Sequence, residues 1–190
     1  KFQLLIDGTG LVSFNQKHCD HCLVRKHSDG HFSYEHHVLE AKLVFDSFVL
    51  SIDSEFIENP NPDVINIKKQ DCEMKAFKRM AIRLKKNFPK LSFIITGDAL
   101  YASGPFIKLC LDNNWDFMFR LKSDKLRTVN QDFDGLIAIN SGSIHKNYFV
   151  VNDYQYNQYK FNIIRFIEQI GHKKDKTFTF ITSLPVTDNN

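Results

Sequence analysis

Short runs of apolar residues separated by polar turns dominate the first third of the chain. Residues 2–14 predict a strand with a glycine-marked break, and residues 34–45 and 48–57 predict two more strands. Residues 15–33 are polar and rich in His, Cys and Gly, which indicates a loop or hairpin connection between the first two strands.

The middle of the chain alternates between helical and strand patterns. Residues 71–88 predict a helix, because apolar residues recur there at three- and four-residue steps; Asp71 is the candidate N-cap. Residues 91–96 predict a buried strand, Ser103 caps a second predicted helix that extends to about residue 113, and residues 116–121 predict the next strand.

Beyond residue 122 the pattern becomes strand-only. Residues 123–145 are polar and irregular, and residues 146–186 contain three strand-like runs. The order predicts an α/β protein with a mixed sheet flanked by helices, which matches the ribonuclease H-like fold. We therefore expect a core at residues 1–122 and a β-rich insertion at residues 123–190.

Composition excludes some classes of protein. The chain has 190 residues and 18 phenylalanines, is ordinary in charge content, and contains no apolar run of about 18 residues, which argues against disorder and a membrane span. Its net charge of +3 permits DNA binding without indicating it. The spacing of its four cysteines favours a reducing cytoplasm.

Two acids interrupt or end apolar runs. Asp7 lies within the first predicted strand and precedes Gly8, and Asp98 follows the run that ends at Gly97. Paired carboxylates suit hard divalent cations, and two metal ions can drive hydrolysis or transfer of phosphodiesters. The alternative is that both acids are ordinary turn formers beside glycines.

Both acids also lie in blocks that resemble those of DDE-class transposases of bacterial insertion sequences. The blocks are LLIDGT around Asp7, GDALYA around Asp98, KQDCE at residues 69–73, and the tract from Cys19 to His37. The resemblance implies DNA strand cleavage and strand transfer with Asp7 and Asp98 as ligands of two Mg²⁺ or Mn²⁺ ions. It also implies a bacterial, nucleoid-associated protein that forms a homodimer on transposon ends and target DNA.

The resemblance further implies a third acid, a Glu on a helix beyond the β-rich region. No matching segment follows residue 185, so we expect that acid to lie outside this chain and the isolated chain to be inactive. Glu168 is the best internal substitute, although its run, residues 161–170, predicts a strand, and a rim or edge position fits it better than a helix facing the two Asp residues. The alternatives are an inactive ribonuclease H-like module that binds DNA or a partner, and a nuclease of the same fold.

Cysteine and histidine are concentrated early in the chain, at His18, Cys19, His21, Cys22, His27 and His31. Such residues could bind zinc, but only one C-x2-C pair is present. We therefore expect a surface connection without zinc. Cys72 and Cys110 are predicted to be core residues of helices.

Basic residues follow the strand at residues 116–121. Arg120, Lys122 and Lys125 are the predicted DNA contacts, because phosphate binding requires such side chains. Basic residues before and on the first helix could contribute as well: Lys68, Lys69, Lys75, Lys78 and Arg79. The alternative for these is a solvated helix face, and Trp115 is predicted to be a core residue.

Overall fold

The computed structural model describes residues 1–59, 70–139, 141–144, 147–168 and 176–187. The chain divides into two compact units. The N-terminal unit is Leu4–Leu91, and the C-terminal unit is Ser92–Asn190 together with Lys1–Gln3. No helix within the described ranges is long and apolar enough to cross a membrane.

The described residues of the N-terminal unit form four strands and one helix. Its elements are β1 (Phe2–Phe14), β2 (Leu23–Lys26), β3 (Phe32–Val44), β4 (Val49–Ile57) and α1 (Glu73–Asn87). The strand β3 lies beside β1, and its other edge pairs in antiparallel register with β2 and then β4.

Helix α1 covers this sheet with one apolar face. Its buried residues recur at three- and four-residue steps, as an amphipathic helix requires: Ala76, Phe77, Met80, Ala81 and Leu84. Arginines on the adjacent face bind acids of β4, where Arg83 pairs with Asp53 at 3.0 Å and Arg79 pairs with Glu55. These ion pairs therefore fix the helix to β4.

The described residues of the C-terminal unit form six strands and two helices. Its elements are β5 (Phe93–Gly97), α2 (Gly104–Asp112), β6 (Asp116–Leu121), α3 (Arg127–Ala138), β7 (Ser143–Ile144), β8 (Tyr148–Tyr156), β9 (Tyr159–Glu168) and β10 (Lys176–Thr182). The strand order is β5-β6-β10-β9-β8-β7. The pair β5–β6 is parallel, and the remaining pairs are antiparallel.

Aromatic side chains fill the core of this unit. Phe117 and Phe119 stack with ring centroids 5.1 Å apart, and Tyr101 packs against Phe119 at 6.1 Å. Helix α3 adds Phe133, which lies 5.7 Å from Phe149 of β8. These phenylalanines are thus used for packing.

The mixed α/β class predicted from the sequence is confirmed. Both units contain a mostly antiparallel sheet, and the described residues form three helices. The predicted strands of residues 34–45, 48–57 and 116–121 and the helix capped by Ser103 are confirmed. The prediction of a core tryptophan is also confirmed, because Trp115 is buried.

Three local predictions were wrong. Residues 123–145 were predicted to be irregular, but they contain α3. Asp71 is not the N-cap of α1, since Cys72 occupies that position. Cys72 is exposed instead of lying in the core, whereas Cys110 is buried in α2 as predicted.

The predicted β-rich region contains β7 to β10 as well as α3. The predicted boundary at residues 122 and 123 falls inside the C-terminal unit, where β10 pairs with β6. These two strands, from either side of that boundary, share one sheet because their backbone groups pair directly. The division into a catalytic core and an insertion stays a prediction.

Candidate functional site

Asp7 is exposed on β1, directly after the residues of this strand that build the core. Leu4 and Ile6 are fully buried on one face of the strand, and the two-residue period of a strand turns Asp7 to the other face. Asp7 forms no ion pair within the described ranges. Its negative charge contributes to raising the pKa of Lys42 on β3, an effect due mainly to the hydrogen bond from Lys42 to Glu40.

Gly8 allows a second acid to approach the backbone beside Asp7. A Cβ atom at Gly8 would lie 2.5 Å from the carboxylate of Glu73, so only glycine fits there without displacing that side chain. Glu73 is the first residue of α1 and is half-buried. Glu73 also ends the family-like block at residues 69–73, where the sequence indicated no role for it. A Gly next to a candidate acid was the signal of a close neighbour.

Asp98 is the exposed member of an otherwise buried segment. It directly follows β5, and its neighbours Ala99 and Tyr101 are 2% and 1% exposed. The carboxylate accepts a hydrogen bond of 2.8 Å from the backbone N–H of Leu100. That bond is typical of an Asp that stabilises its own turn. The alternative that Asp98 is a turn former beside a glycine therefore describes part of its role.

Gly97 fixes the geometry of the segment around Asp98. A Cβ atom at Gly97 would lie 2.7 Å from the ring of Tyr101, which is fully buried. Tyr101, the aromatic residue of the GDALYA block around Asp98, is therefore a packing residue. It holds the turn against the core and leaves Asp98 at the surface.

The two acids belong to different units of the molecule. Asp7 lies in the N-terminal unit and Asp98 in the C-terminal unit. Their proximity stays a prediction from the sequence. The structure shows that each unit exposes one of the two carboxylates next to a buried strand.

Two of the three predicted DNA contacts line one hollow in the C-terminal unit. Arg120 and Lys122 lie there, in a space of about 380 Å³, whereas Lys125 is not among its lining residues. Polar neighbours complete the lining: Ser123, Asp124, Asn130, Asp134, Arg165, Thr177 and Thr179. Arg165 is paired with Asp134 at 2.7 Å. Arg120 and Lys122 therefore supply the basic groups that can attract a phosphate.

The other basic candidates differ in their surroundings. Lys68 and Lys69 lie outside the described residues. Arg79 on α1 is held by two acids, and its ion pair with the buried Asp71 is 2.7 Å long. Hydrogen bonds to Asp71 are the main reason that the pKa of Arg79 is raised. Arg79 is thus a structural residue, while Lys78 is exposed on the same helix.

Glu168 is the last residue of β9 and is exposed. It pairs in register with Lys176 of β10 and lines an aromatic hollow with Tyr148, Phe166 and Phe178. The prediction that Glu168 lies in a strand is confirmed. Its role as a substitute ligand stays a prediction.

The histidines of the early tract have different partners. His27 is hydrogen-bonded to Ser33 at 2.8 Å and stacks on His31, which in turn donates to Asp29. These two histidines are therefore engaged with each other and with polar neighbours. Cys19 and Cys22 instead lie beside His36, which the sequence analysis did not consider as a ligand.

No protein-family model and no curated protein matches the chain. Among solved structures, the NurA nuclease from Sulfolobus solfataricus is similar to it with a TM-score of 0.48 and 10% sequence identity. That match covers 99% of this chain and 69% of the other. Because this similarity is so distant, the function is inferred from the residues of this chain alone.

Proposed function

We propose that this chain is part of the catalytic region of a DDE-class transposase of a bacterial insertion sequence, with a ribonuclease H-like fold. The observation that carries the proposal is the exposure of Asp7 and Asp98 beside buried strand residues. Each acid lies in a family-like block whose glycine has a packing role. We assign both acids to one site because their blocks resemble those of the transposase family.

The chemistry of the two acids fits Mg²⁺ or Mn²⁺. Both ions prefer carboxylate oxygens, and neither Asp7 nor Asp98 is neutralised by an ion pair within the described part of the chain. When bound, such ions activate a water molecule or a 3′-hydroxyl group and stabilise the leaving oxygen. The roles of Asp7 and Asp98 are to bind the cations and to fix their positions against the scissile phosphate.

The hollow around Arg120 and Lys122 suits the phosphate backbone of DNA. Lys122 is exposed, and Arg120 is half-buried with its guanidinium 4.9 Å from the ring of Phe178. Thr177 and Thr179 also line this hollow. Contacts of this kind position DNA without reading its sequence, so we assign end recognition to another part of the protein.

Two other functions would use the same acids or the same surface. A nuclease of the same fold would cut DNA without joining it, and an inactive relative would bind DNA or a partner without cutting. The products of the reaction separate the three: joined strands indicate a transposase, nicked strands a nuclease, and intact DNA a binding module.

The test is an assay of the complete protein with a plasmid target and a pre-cleaved transposon end. We expect strand joining that requires Mg²⁺ or Mn²⁺ and falls more than about 100-fold in D7N and in D98N, because each variant loses a metal ligand. The matched controls are D46N and D112N, which alter exposed acids elsewhere and should keep full activity. Equal joining by D7N and the wild type would contradict the proposal.

A further inference from the structure

We propose that Cys19, Cys22 and His36 form a zinc site in the N-terminal unit. Within the described part of the chain, these residues make the group of three potential metal ligands whose ligand atoms all lie within 4.8 Å of one another. The proposal does not depend on the function proposed for Asp7 and Asp98. It reverses the expectation from the sequence that this tract is a connection without metal.

The distances among the three ligand atoms match those around a tetrahedral zinc ion. The two sulfur atoms are 3.6 Å apart, and Nε2 of His36 lies 3.4 Å from Cys19 and 3.3 Å from Cys22. Zn–S bonds of about 2.3 Å and a Zn–N bond of about 2.0–2.1 Å place such atoms roughly 3.8 Å and roughly 3.6 Å apart. Movements of a few tenths of an ångström would bring all three ligand atoms into bonding positions.

Strand pairing explains why His36 reaches the two cysteines. Leu23 of β2 is the partner of Glu35 on β3. One step outward along this antiparallel pair, Cys22 therefore faces His36. The C-x2-C spacing then turns Cys19 back towards Cys22, so three ligands separated by up to 17 positions in sequence meet at one point.

The turn that carries the cysteines is held in place by Asn59, which is 3% exposed. The side chain of Asn59 donates a 2.8 Å hydrogen bond to the carbonyl oxygen of Cys22. Its backbone N–H donates to the carbonyl of His21 at 3.1 Å, and the ring of His21 donates back to the carbonyl of Asn59 at 3.0 Å. A turn fixed at three points suits a preformed metal site.

The surroundings of the cluster favour a soft or borderline metal over magnesium. Cys22 is buried, Cys19 and His36 are half-buried, and the ring of Phe14 lies 6.4 Å from the ring of His36. Two thiolates and one imidazole select zinc among the common structural metals. Three protein ligands leave one position of the tetrahedron, which we assign to a solvent molecule.

A redox-active cysteine pair is the main alternative. A Cys19–Cys22 disulfide would require the sulfurs to approach from 3.6 Å to about 2.05 Å. Such a bond would not require His36 to lie at nearly equal distances from both sulfur atoms. The triangular arrangement of the three atoms therefore favours a shared ion.

The first experiment measures zinc in the chain, purified without a histidine tag and without chelators. We expect about one zinc per chain by elemental analysis and less than about a tenth of that in C19S, C22S and H36A. The matched controls are C72S and H31A, which change exposed residues of the same types outside the cluster. They should keep the zinc, and so should D7N.

A second measurement keeps the proposal testable if the cysteine variants do not fold. The wild-type chain is treated with N-ethylmaleimide before and after removal of metal by a chelator, and each cysteine is followed by mass spectrometry. We expect Cys19 and Cys22 to react at least about 10-fold faster after chelation, because metal-bound thiolates are shielded, while Cys72 is unchanged. A folded wild-type chain without zinc, or one with a Cys19–Cys22 disulfide, would overturn the proposal.

Discussion

Gly97 shows how the absence of a side chain positions a candidate catalytic acid. We predict that Gly97→Ala destabilises the protein by about 1–3 kcal/mol, because the added methyl group would overlap the buried ring of Tyr101. The control is Gly104→Ala at the start of α2, where no atom lies within 4 Å of the new methyl group. That variant should be unchanged or more stable by up to about 1 kcal/mol.

Urea denaturation of both variants provides the measurement, with the midpoints compared at equal slope. If Gly97→Ala were as stable as Gly104→Ala, the packing role assigned to the Gly97–Tyr101 contact would be wrong.

At the residue scale, the sequence singled out Asp7 and Asp98 as candidate metal ligands, and both side chains are exposed, as binding a cation requires. The prediction for Asp71 was wrong, because the pattern favoured it as a helix cap. Asp71 instead accepts a hydrogen bond from the backbone of Glu58 and pairs with Arg79. The preference of Asp for N-cap positions is local, whereas its actual partners lie up to 13 residues away in sequence.

Helix α1 depends on Arg79 for more than surface charge. We predict that Arg79→Ala destabilises the protein by roughly 2–3 kcal/mol, because the carboxylate of Asp71 would be left buried without its cation. The backbone N–H of Glu58 still contacts Asp71, which keeps the loss below that of a fully isolated charge. Lys78→Ala on the exposed face of the same helix should change stability by less than about 0.5 kcal/mol.

Thermal unfolding of both variants at neutral pH checks this prediction. A loss in Arg79→Ala no greater than that in Lys78→Ala would show that Asp71 is solvated well enough to need no partner.

At the element scale, the longer strands were predictable because most of their apolar runs are bounded by Gly, Pro or Asn. The short strands β2 and β7 lie in tracts for which no strand was predicted. Helix α3 was missed because Thr128, Asn130 and Gly135 are weak helix formers. Its start is stabilised by the side chain of Asn130, which donates hydrogen bonds of 2.7 Å and 3.1 Å to the carbonyls of Lys125 and Lys122. The packing of Phe133 against Phe149 of β8 compensates for the low helix propensity of these residues.

At the scale of the whole molecule, strand pairing was the least predictable feature. The pattern of residues 176–184 predicted a strand but gave no partner, and β10 pairs with both β6 and β9. The same kind of pairing brings His36 to Cys22. A search for ligands confined to residues 18–31 could not find that cluster, since strand register is a property of the fold and not of a local window.

The charge of the C-terminal unit gives a prediction about DNA binding. Arg120→Ala and Lys122→Ala should each weaken binding to duplex DNA of any sequence and reduce the slope of log K against log salt by about 1, because each removes one phosphate contact. Lys108→Ala is the control, as Lys108 is exposed and paired with Asp112. Fluorescence anisotropy at several salt concentrations measures the slope, and equal slopes in all three variants would exclude the hollow as a phosphate site.

The central claim is that Asp7 and Asp98 bind the same divalent cations, and paramagnetic broadening by Mn²⁺ tests it most directly. Substoichiometric Mn²⁺ is titrated into the ¹⁵N-labelled chain while the amide signals of Gly8 and Ala99 are followed. We predict that both signals broaden with one midpoint and that D7N abolishes the broadening at both, whereas D46N changes neither. Broadening at one acid without the other, or broadening at Ala99 that persists in D7N, would contradict it.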